Sequence, residues 1–422
     1  MTAVQPQRAG FSVQRLSRVD KLLQRYVEGG HLAGALGLIY RKGEVAYNSA
    51  IGQRDLETGQ PMTEDTIFRI YSMTKPITAV AALMLFEDGH FLLDDPLATY
   101  LPEFEDVQVC TGDLENLVPP NRPITIKDTF MHTAGLSYGW GEDSPVENLY
   151  RQTFGNREPL SLEAFVTKLA DLPLLYHPGE RWRYSYATDV LGRLVEVIAG
   201  KTLGEFFQQE IFKPLAMNDT GFHVPADSLD RFAACYSPPG GLNFDNDLAS
   251  RAKRRPGHGD NEKTPVRPPI ELYDAPHNSS YTKPPVFLSG GGGLVSTLGD
   301  YLRFTRMLLN DGILDGNRLL GRKTVELMRA NHLPAELVPI AIGNEGLAGN
   351  GFGLGVSALV DPPASSAPGS VGAYGWGGLA TTHFWIDPEE DMVGLFMTQF
   401  VPADYYPVER EFRLAAYQAL VD

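Results

Sequence analysis

Cysteine is nearly absent from this sequence, since only Cys110 and Cys235 occur among its 422 residues. The two lie in unrelated contexts, which leaves a disulfide open, although two reduced thiols in a cytoplasmic protein are the simpler interpretation. The 9 histidines are scattered, and no group of cysteine and histidine has the spacing of metal ligands. No glycine-rich loop has the pattern that cradles phosphate. We therefore expect no metal centre and no cofactor.

Positive charge and long hydrophobic runs are also scarce. Lysine and arginine number 36 against 52 acidic residues, a net charge of −16 at pH 7. Such a charge argues against nucleic acid or a polybasic membrane surface as a partner. The longest apolar run, around residues 79–86, is far shorter than a membrane span, and residues 1–10 lack the apolar segment of a secretory signal. These features predict a cytoplasmic protein that binds neither nucleic acid nor membrane.

Apolar residues make up 43% of the chain, which is enough to bury a large core. Their spacing predicts helices and strands at both ends of the chain. The N-terminal elements are a helix at 12–28, strands at 33–40, 44–51 and 66–71, and a buried helix at 77–86. The C-terminal elements are strands at 352–360, 371–374, 380–386 and 392–400, and a helix at 409–420. Between them, helices are predicted at 126–131, 161–171, 187–199, 202–212 and 301–309.

The pattern predicts the α/β (α+β) fold class. We expect a mostly antiparallel sheet built from both ends of the chain, flanked by terminal helices, with an inserted helical domain. Residues 1–89 and 341–422 would form a discontinuous α/β domain, and residues 90–340 a mainly helical one. A loop at 252–285, rich in proline, glycine and charge, is typical of an active-site lid or wall. We expect the active site where the two regions meet.

Ser72 stands where the predicted strand gives way to the buried helix. Free backbone N–H groups and the positive end of the helix dipole lie at such a position. Lys75 lies on the same helix face, and a partly buried lysine beside a serine can lose its proton and act as a base. A helix-capping serine is the ordinary alternative. Two further Ser-x-x-Lys patterns, at Ser250 and Ser280, lie in polar, proline-rich surroundings and are expected to be chance matches.

The sequence also contains Gly-x-Ser-x-Gly at residues 135–139, the pattern of a nucleophile elbow around Ser137. That elbow needs a strand before the serine and a helix after it. Here a helical pattern precedes the serine and a loop follows it. We therefore expect Ser137 to be non-catalytic.

Tyr184 is the candidate for a third catalytic group. It lies just before the predicted helix at 187–199, and a tyrosine beside lysine side chains can give up its proton. A packed aromatic residue is the competing interpretation. Gly377 and Gly378 would let a substrate approach the backbone of a sheet edge strand closely, where a second oxyanion donor is needed. A plain turn between two strands is the alternative for these glycines.

Together the motifs resemble those of the serine β-lactamase and penicillin-binding-protein superfamily, and most of all the family VIII carboxylesterases. The likeness runs over residues 12–420. The three motifs, in chain order, are Ser72-Met-Thr-Lys75, Tyr184-Ser-Tyr186 and Trp376-Gly-Gly378. The third stands where β-lactamases have Lys-Thr-Gly. Three motifs in the right order are far more specific than any one of them.

The resemblance implies a role for each motif residue. Ser72 would attack the substrate carbonyl, while Lys75 and Tyr184 share the proton transfers, with the division between these two left open. The N–H groups of Ser72 and Leu379 would hold the oxyanion. Four residues would line the substrate, namely Trp376, Gly377, Gly378 and Tyr186.

Two departures from the β-lactamase pattern bear on the substrate. Trp376 replaces the lysine that binds a substrate carboxylate, and Tyr186 replaces an amide-bearing asparagine. A site without that cation should hold anionic β-lactams poorly. We therefore expect a serine carboxylesterase for short- to medium-chain esters, acting on a small-molecule ester through a Ser72 acyl-enzyme.

Other activities remain open on the same scaffold. They are a β-lactamase, a D-aminopeptidase and an acyltransferase that passes the acyl group to an alcohol. The non-enzyme alternative is an idle penicillin-recognition-like module that binds a ligand. Retention of Ser72, Lys75 and Tyr184 together argues against this last alternative.

Overall fold

The computed structural model describes residues 4–140, 144–155, 160–240, 270–342 and 345–422. Its central element is an eight-stranded antiparallel sheet. Across the sheet the strands run in the order Asn350–Phe352, Ser357–Leu359, Tyr374–Gly378, Thr382–Asp387, Met392–Met397, Gly34–Arg41, Glu44–Asp55 and Gln60–Pro61. The two ends of the chain meet in the middle of the sheet, where Leu38 pairs with Leu395. The predicted sheet from both ends of the chain is confirmed.

Both faces of this sheet are buried. Side chains alternate along a strand, so Phe396 points to one face and Leu395 to the other. The helices Val13–Glu28 and Val408–Tyr417 cover the Phe396 face. The other face joins a larger core that contains the helices Thr74–Glu87 and Leu298–Leu309. This second core is the one that carries the candidate site.

The Thr74–Glu87 helix runs through the larger core and is buried on almost every side. A 3₁₀ turn, Tyr71–Met73, precedes it, so the helical backbone begins earlier than predicted. The strand before this turn, Ile67–Arg69, pairs with Val295–Thr297 instead of joining the main sheet. This pairing brings the serine at residue 72 beside the chain around residue 290.

The remaining helices surround this core. Their bounds are Ile126–Met131, Pro145–Gly155, Leu162–Ala170, Ala187–Ala199, Leu203–Phe206, Arg322–Arg329 and Pro362–Ser365. Shorter 3₁₀ turns lie at Leu97–Thr99, Pro102–Phe104, Ala226–Arg231, Pro276–Asn278, Ser280–Thr282 and Ala335–Leu337. The helices predicted at 126–131 and 187–199 have the predicted bounds. The one predicted at 202–212 changes at Phe207 to a π-helical turn, Phe207–Phe212.

Two strand predictions need correction. The segment predicted as one strand at 352–360 is a hairpin of Asn350–Phe352 and Ser357–Leu359. Gly355 lies in its turn with φ +86°, and a Cβ there would meet the Cβ of Ala79 at 2.5 Å, so the turn depends on glycine. The strand predicted at 371–374 begins only at Tyr374, because Gly372 turns the chain with φ +86°.

Short two-stranded pairs complete the structure. They are Val109–Cys110 with Leu117–Val118, Cys235–Ser237 with Glu271–Asp274, Ile313–Leu314 with Asn317–Arg318, and Ala341–Ile342 with Glu345–Gly346. Most of the predicted loop, residues 252–269, lies outside the described residues. Of its described part, residues 270–285, only Glu271–Asp274 departs from the predicted irregular loop, because it forms a strand. Cys110 and Cys235 are both buried and free.

The proposed division into residues 1–89 with 341–422 and residues 90–340 stays a prediction. Among the described helices, none combines the length and the apolar character needed to cross a membrane.

Candidate active site

Ser72 lies in the tight turn that joins the strand Ile67–Arg69 to the helix Thr74–Glu87. The preceding residue, Tyr71, has φ +41°, which is uncommon for a bulky side chain. Packing holds it there, because Tyr71 lies against Cys235, Ala380 and Val401. Such a locally costly backbone persists only where its surroundings enforce it, and it is often found at functional sites.

Lys75 is the group nearest to the Ser72 hydroxyl. Its side chain is 1% exposed, and its Nζ lies 3.2 Å from Ser72 Oγ. The same Nζ donates a hydrogen bond of 2.6 Å to the carbonyl oxygen of Gly291. A lysine nitrogen held between a hydroxyl and a neutral carbonyl is placed to take the hydroxyl proton. The structure thus brings together the two residues of the first motif.

Gly291 belongs to a segment we call the glycine loop, residues 289–294. The buried helix holds this loop from one of its faces. Thr78 Oγ1 donates to the Gly290 carbonyl at 2.7 Å, and Thr74 Oγ1 accepts from the Leu294 N–H at 3.1 Å. A Cβ on Gly290 would lie 2.9 Å from the carbonyl oxygen of Thr188, so the loop approaches too closely for a side chain. The loop is therefore a fixed wall beside Lys75.

Tyr184 also reaches Lys75. The Nζ of Lys75 lies 4.5 Å from the centre of the Tyr184 ring, a cation–π distance. The Tyr184 hydroxyl accepts a hydrogen bond of 3.3 Å from Trp376 Nε1. The three motifs therefore converge at Lys75, Tyr184 and Trp376.

His132 packs its ring 5.0 Å from that of Tyr184 and contacts Ser185 Oγ through Nδ1 at 3.2 Å. Complete burial and the charge of Lys75 lower the pKa of His132 well below its usual range. The imidazole is therefore neutral at physiological pH. It supports the Tyr184 ring as an uncharged packing partner.

Tyr186 faces an aromatic cluster. Its ring centre lies 4.4 Å from that of Tyr138, 5.0 Å from Phe165 and 5.3 Å from Phe154. Tyr138 in turn has its ring centre 5.3 Å from Lys75 Nζ. Tyr186 is thus connected to the Ser72 site through Tyr138.

The third motif lies on the strand Tyr374–Gly378. This strand is the third of eight, so the prediction of an edge strand is wrong for its first half. It pairs along its full length with Thr382–Asp387, but with Ser357–Leu359 only at Tyr374 and Gly375. The strand is therefore an edge only from Trp376 onward, where the neighbouring strand has ended.

Gly378 brings the third motif against the nucleophile turn. A Cβ on Gly378 would lie 2.3 Å from the Ile70 carbonyl oxygen, so only glycine allows this approach. The next residue, Leu379, packs against the same small cluster as Tyr71, formed by Cys235, Ala380 and Val401. Within the described part of the chain, neither the N–H of Ser72 nor that of Leu379 donates a hydrogen bond. Two unused N–H groups beside the turn are the donors that an oxyanion needs.

Ser137, in the Gly-x-Ser-x-Gly pattern, is engaged elsewhere. Its buried Oγ donates to Glu147 Oε2 at 2.7 Å, and Glu147 Oε1 accepts from Arg183 at 2.5 Å. Ser137 therefore helps to satisfy a buried ion pair. Of the other Ser-x-x-Lys patterns, Ser280 begins a 3₁₀ turn and Ser250 lies outside the described residues.

Asp189 is a site residue that sequence reasoning missed. It is 1% exposed, and its Oδ1 accepts hydrogen bonds from Ser289 Oγ at 2.6 Å and from the Gly291 N–H at 3.0 Å. Burial raises the pKa of Asp189 above the usual carboxyl range, against the effect of Ser289, Lys75 and the Gly291 N–H. An acidic residue in the first turn of a helix ordinarily interacts with the helix dipole, so no pattern in the sequence indicated that Asp189 binds the glycine loop.

Tyr138 was also missed, because it lies inside the pattern around Ser137. Burial and the charge of Asp189 raise the pKa of Tyr138 well above its usual range. It therefore stays a protonated phenol beside Lys75. No group of histidine, cysteine, aspartate and glutamate in the described ranges is arranged to hold a metal ion.

The sequence matches the Beta-lactamase family over residues 19–418. Esterase EstB from Burkholderia gladioli is 31% identical over 416 residues, which span 94% of this chain and 94% of that protein. Lovastatin esterase from Penicillium rubens is 30% identical over 416 residues, which span 92% of this chain and 94% of that protein. Among solved structures, EstCE1, described as a hydrolase with promiscuous acyltransferase activity, has a TM-score of 0.75 and 29% identity, covering 96% and 99% of the two chains.

Proposed function

The chain belongs to the Beta-lactamase family, as an esterase-like serine hydrolase of the β-lactamase fold, and from this premise we propose that it hydrolyses short- to medium-chain carboxylic esters through an acyl-enzyme on Ser72. One observation carries the proposal. Lys75 Nζ lies 3.2 Å from Ser72 Oγ, inside a site whose third motif offers the neutral Trp376 instead of a cation.

Acylation begins with Ser72 Oγ, which bonds to the ester carbonyl carbon as its proton passes to the Lys75 and Tyr184 pair. The carbonyl oxygen becomes an oxyanion held by the N–H groups of Ser72 and Leu379. The bond to the alcohol oxygen then breaks, and the alcohol takes up the proton. Water next bonds to the acyl carbon as one of its protons passes to the same pair. The bond from that carbon to Ser72 Oγ then breaks and Oγ takes up the proton, which releases the acid and restores Ser72.

The bond between Trp376 and Tyr184 supports a donor role for Tyr184. Because its hydroxyl oxygen accepts the indole N–H at 3.3 Å, its own proton is free to point elsewhere. The leaving alcohol oxygen is the acceptor that the reaction supplies. Lys75 Nζ lies 4.5 Å from the centre of the Tyr184 ring, so once Lys75 has taken up the Ser72 proton its positive charge lies beside the phenol. This charge favours the phenolate that forms when the proton is donated.

The walls of the site support neutral, apolar substrates. Tyr138 and Trp140 stack with ring centres 4.5 Å apart, and Trp376 lies edge-on to Phe352 at 5.3 Å. Apolar acyl or alcohol groups gain free energy against such surfaces, at about 25 cal/mol for each Å² of apolar area removed from water. A β-lactam carboxylate would lose water there without gaining a cation in the third motif.

The experiment is hydrolysis of p-nitrophenyl esters of increasing acyl length, with nitrocefin in parallel. Wild type, Ser72→Ala and Ser137→Ala are compared. We expect ester hydrolysis by wild type and Ser137→Ala, none by Ser72→Ala, and little turnover of nitrocefin. Retained activity in Ser72→Ala would place the nucleophile elsewhere, with Ser137 the next residue to test. Nitrocefin turnover equal to ester turnover would instead support a β-lactamase.

Acyl transfer to an alcohol is the second candidate. Its support is the 29% identity to EstCE1 over nearly the whole chain. The two activities share the acyl-enzyme and differ in whether water or an alcohol accepts the acyl group. Adding a primary alcohol at rising concentration and measuring acid and new ester separates them. An ester yield that stays at zero would exclude the transferase.

A further inference from the structure

The shortest hydrogen bond that the Lys75 amine makes among the described residues goes to a backbone carbonyl. Its Nζ donates to the Gly291 oxygen at 2.6 Å, a shorter contact than the 3.2 Å to Ser72 Oγ. A neutral lysine amine has two N–H donors and one lone pair. If one N–H is held by Gly291, rotation of the amine is restricted and the lone pair can face Ser72 Oγ. A contact that holds Gly291 in place therefore also holds the Lys75 amine in this orientation.

Asp189 fixes Gly291 from the opposite side. Its Oδ1 accepts from the Gly291 N–H at 3.0 Å and from Ser289 Oγ at 2.6 Å. Its Oδ2 is packed so closely that a Cβ on Gly291 would lie 2.6 Å from it. The N–H of Gly291 thus binds the carboxylate while its C=O binds Lys75. Asp189 itself lies in the first turn of the helix Ala187–Ala199 and is buried.

We propose that Asp189 is a positioning residue for Lys75: it holds the glycine loop so that the Gly291 carbonyl aims the lysine amine at Ser72. The inference rests on the proposed roles of Ser72 and Lys75. Among the described residues Asp189 makes no hydrogen bond to Ser72, Lys75 or Tyr184, so its hydrogen bonds reach the base through Gly291. A misplacement of about 1 Å in such a contact can cost about 10²-fold in rate.

Thr78 offers a matched control. Its hydroxyl binds the same loop one residue earlier, at the Gly290 carbonyl, at 2.7 Å. It makes no hydrogen bond to Gly291 or to Lys75 among the described residues. Thr78→Val removes that loop contact with nearly the same shape. A general loosening of the loop would therefore appear in this variant as well.

The test compares wild type, Asp189→Ala, Asp189→Asn and Thr78→Val. The rate constant for covalent labelling of Ser72 by a fluorophosphonate is measured, together with kcat and KM for a p-nitrophenyl ester. For Asp189→Ala we expect labelling and kcat to fall about 10²-fold with KM little changed. Asn keeps an oxygen at the Oδ1 position, so Asp189→Asn should recover much of this loss. Thr78→Val should stay near wild type.

Three outcomes would overturn the inference. They are an Asp189→Ala labelling rate equal to wild type, an equal loss in Thr78→Val, and a loss that appears only in KM. If Asp189→Ala does not fold, Ser289→Ala removes one of the two Oδ1 partners and should slow labelling by a smaller factor. Failure of the proposed function can be told apart from failure of this inference, because fluorophosphonate labelling does not depend on the ester. A wild type that is not labelled and does not hydrolyse esters contradicts the role of Ser72 itself.

Discussion

The indole N–H of Trp376 donates a hydrogen bond to the hydroxyl of Tyr184, at 3.3 Å, although 192 positions separate the two residues. Trp376 therefore does more than replace a cation of the third motif. It sets the direction in which the Tyr184 proton can point, and it covers the phenol with an apolar wall. One residue thus contacts both the proposed proton donor, Tyr184, and the apolar wall that we propose favours neutral substrates.

The first prediction concerns Trp376→Phe. This change keeps an aromatic wall and removes the hydrogen bond, which is worth about 1 kcal/mol. We expect kcat/KM for alkyl esters to fall about fivefold to tenfold. Steady-state kinetics on a short ethyl ester measures this. Trp385→Phe is the control, because the indole N–H of Trp385 is buried on the other face of the sheet and has no hydrogen-bond partner among the described residues. Equal losses in both variants would mean that the hydrogen bond is irrelevant.

The second prediction separates the two serines that match hydrolase patterns. Ser137→Ala leaves the buried Glu147 without one of its hydrogen bonds, which should cost about 1–3 kcal/mol of stability. Catalysis should persist, because Ser137 does not reach Lys75 or Tyr184. Ser72→Ala should do the reverse, with activity lost and the free energy of unfolding nearly unchanged. Thermal unfolding and ester hydrolysis of both variants check this; a catalytic loss in Ser137→Ala at full stability would contradict it.

The third prediction concerns Asp300, at the start of the helix Leu298–Leu309. Burial raises the pKa of Asp300 to about 6, against hydrogen bonds from Asp219 and Thr220. Near pH 5 the Asp300 carboxyl is therefore protonated in the folded protein but ionised in the unfolded chain. Binding of this proton stabilises the folded state, and that stabilisation is lost as pH rises through about 6. The free energy of unfolding should fall by about 1 kcal/mol between about pH 5 and about pH 7. Asp300→Asn should remove this part of the pH dependence in denaturant unfolding.

Asp128 is the matched control for Asp300. Burial raises its pKa, but hydrogen bonds from Arg122, Thr125 and Thr133 outweigh burial and lower it below the usual value. Asp128 is therefore ionised in both states above about pH 5, and its contribution is lost only as pH falls further. Asp128→Asn should cost the same free energy at about pH 5 and about pH 7. A pH-independent effect of Asp300→Asn over the same range would refute the assignment.

The local parts of the site followed from the sequence. Ser72 and Lys75 are close in the chain, and the apolar run after them predicted the buried helix. The helices Ile126–Met131 and Ala187–Ala199 were also predicted, because hydrophobic spacing is a local signal.

The contacts that complete the site are long-range and have no such signal. Asp189 meets Ser289 across 100 positions, and the strand Ile67–Arg69 pairs with Val295–Thr297. Hydrophobic periodicity predicts which face of a strand is buried, but it does not predict which other strand pairs with it. The hairpin Asn350–Phe352 with Ser357–Leu359 was missed for a different reason. Its turn at residues 353–356 contains two glycines, which are a turn signal, but the apolar Leu354 and Val356 continue the strand-like pattern across it and pack with the Thr74–Glu87 helix in one core.

The last prediction separates the roles of Lys75 and Tyr184 by their leaving groups. If Lys75 takes the proton of Ser72, Lys75→Arg should abolish acylation for every substrate, because a guanidinium keeps its proton. If Tyr184 donates to the leaving alcohol, Tyr184→Phe should slow ethyl esters far more than p-nitrophenyl esters, because p-nitrophenolate leaves without a proton. Fluorophosphonate labelling, in which fluoride leaves, should also survive in Tyr184→Phe. Kinetics on ethyl and p-nitrophenyl esters of the same acid measures the ratio. An equal loss of kcat/KM on both esters in Tyr184→Phe would make Tyr184 part of the base, because kcat/KM reports acylation alone and removal of the Ser72 proton is the proton transfer that both acylations share.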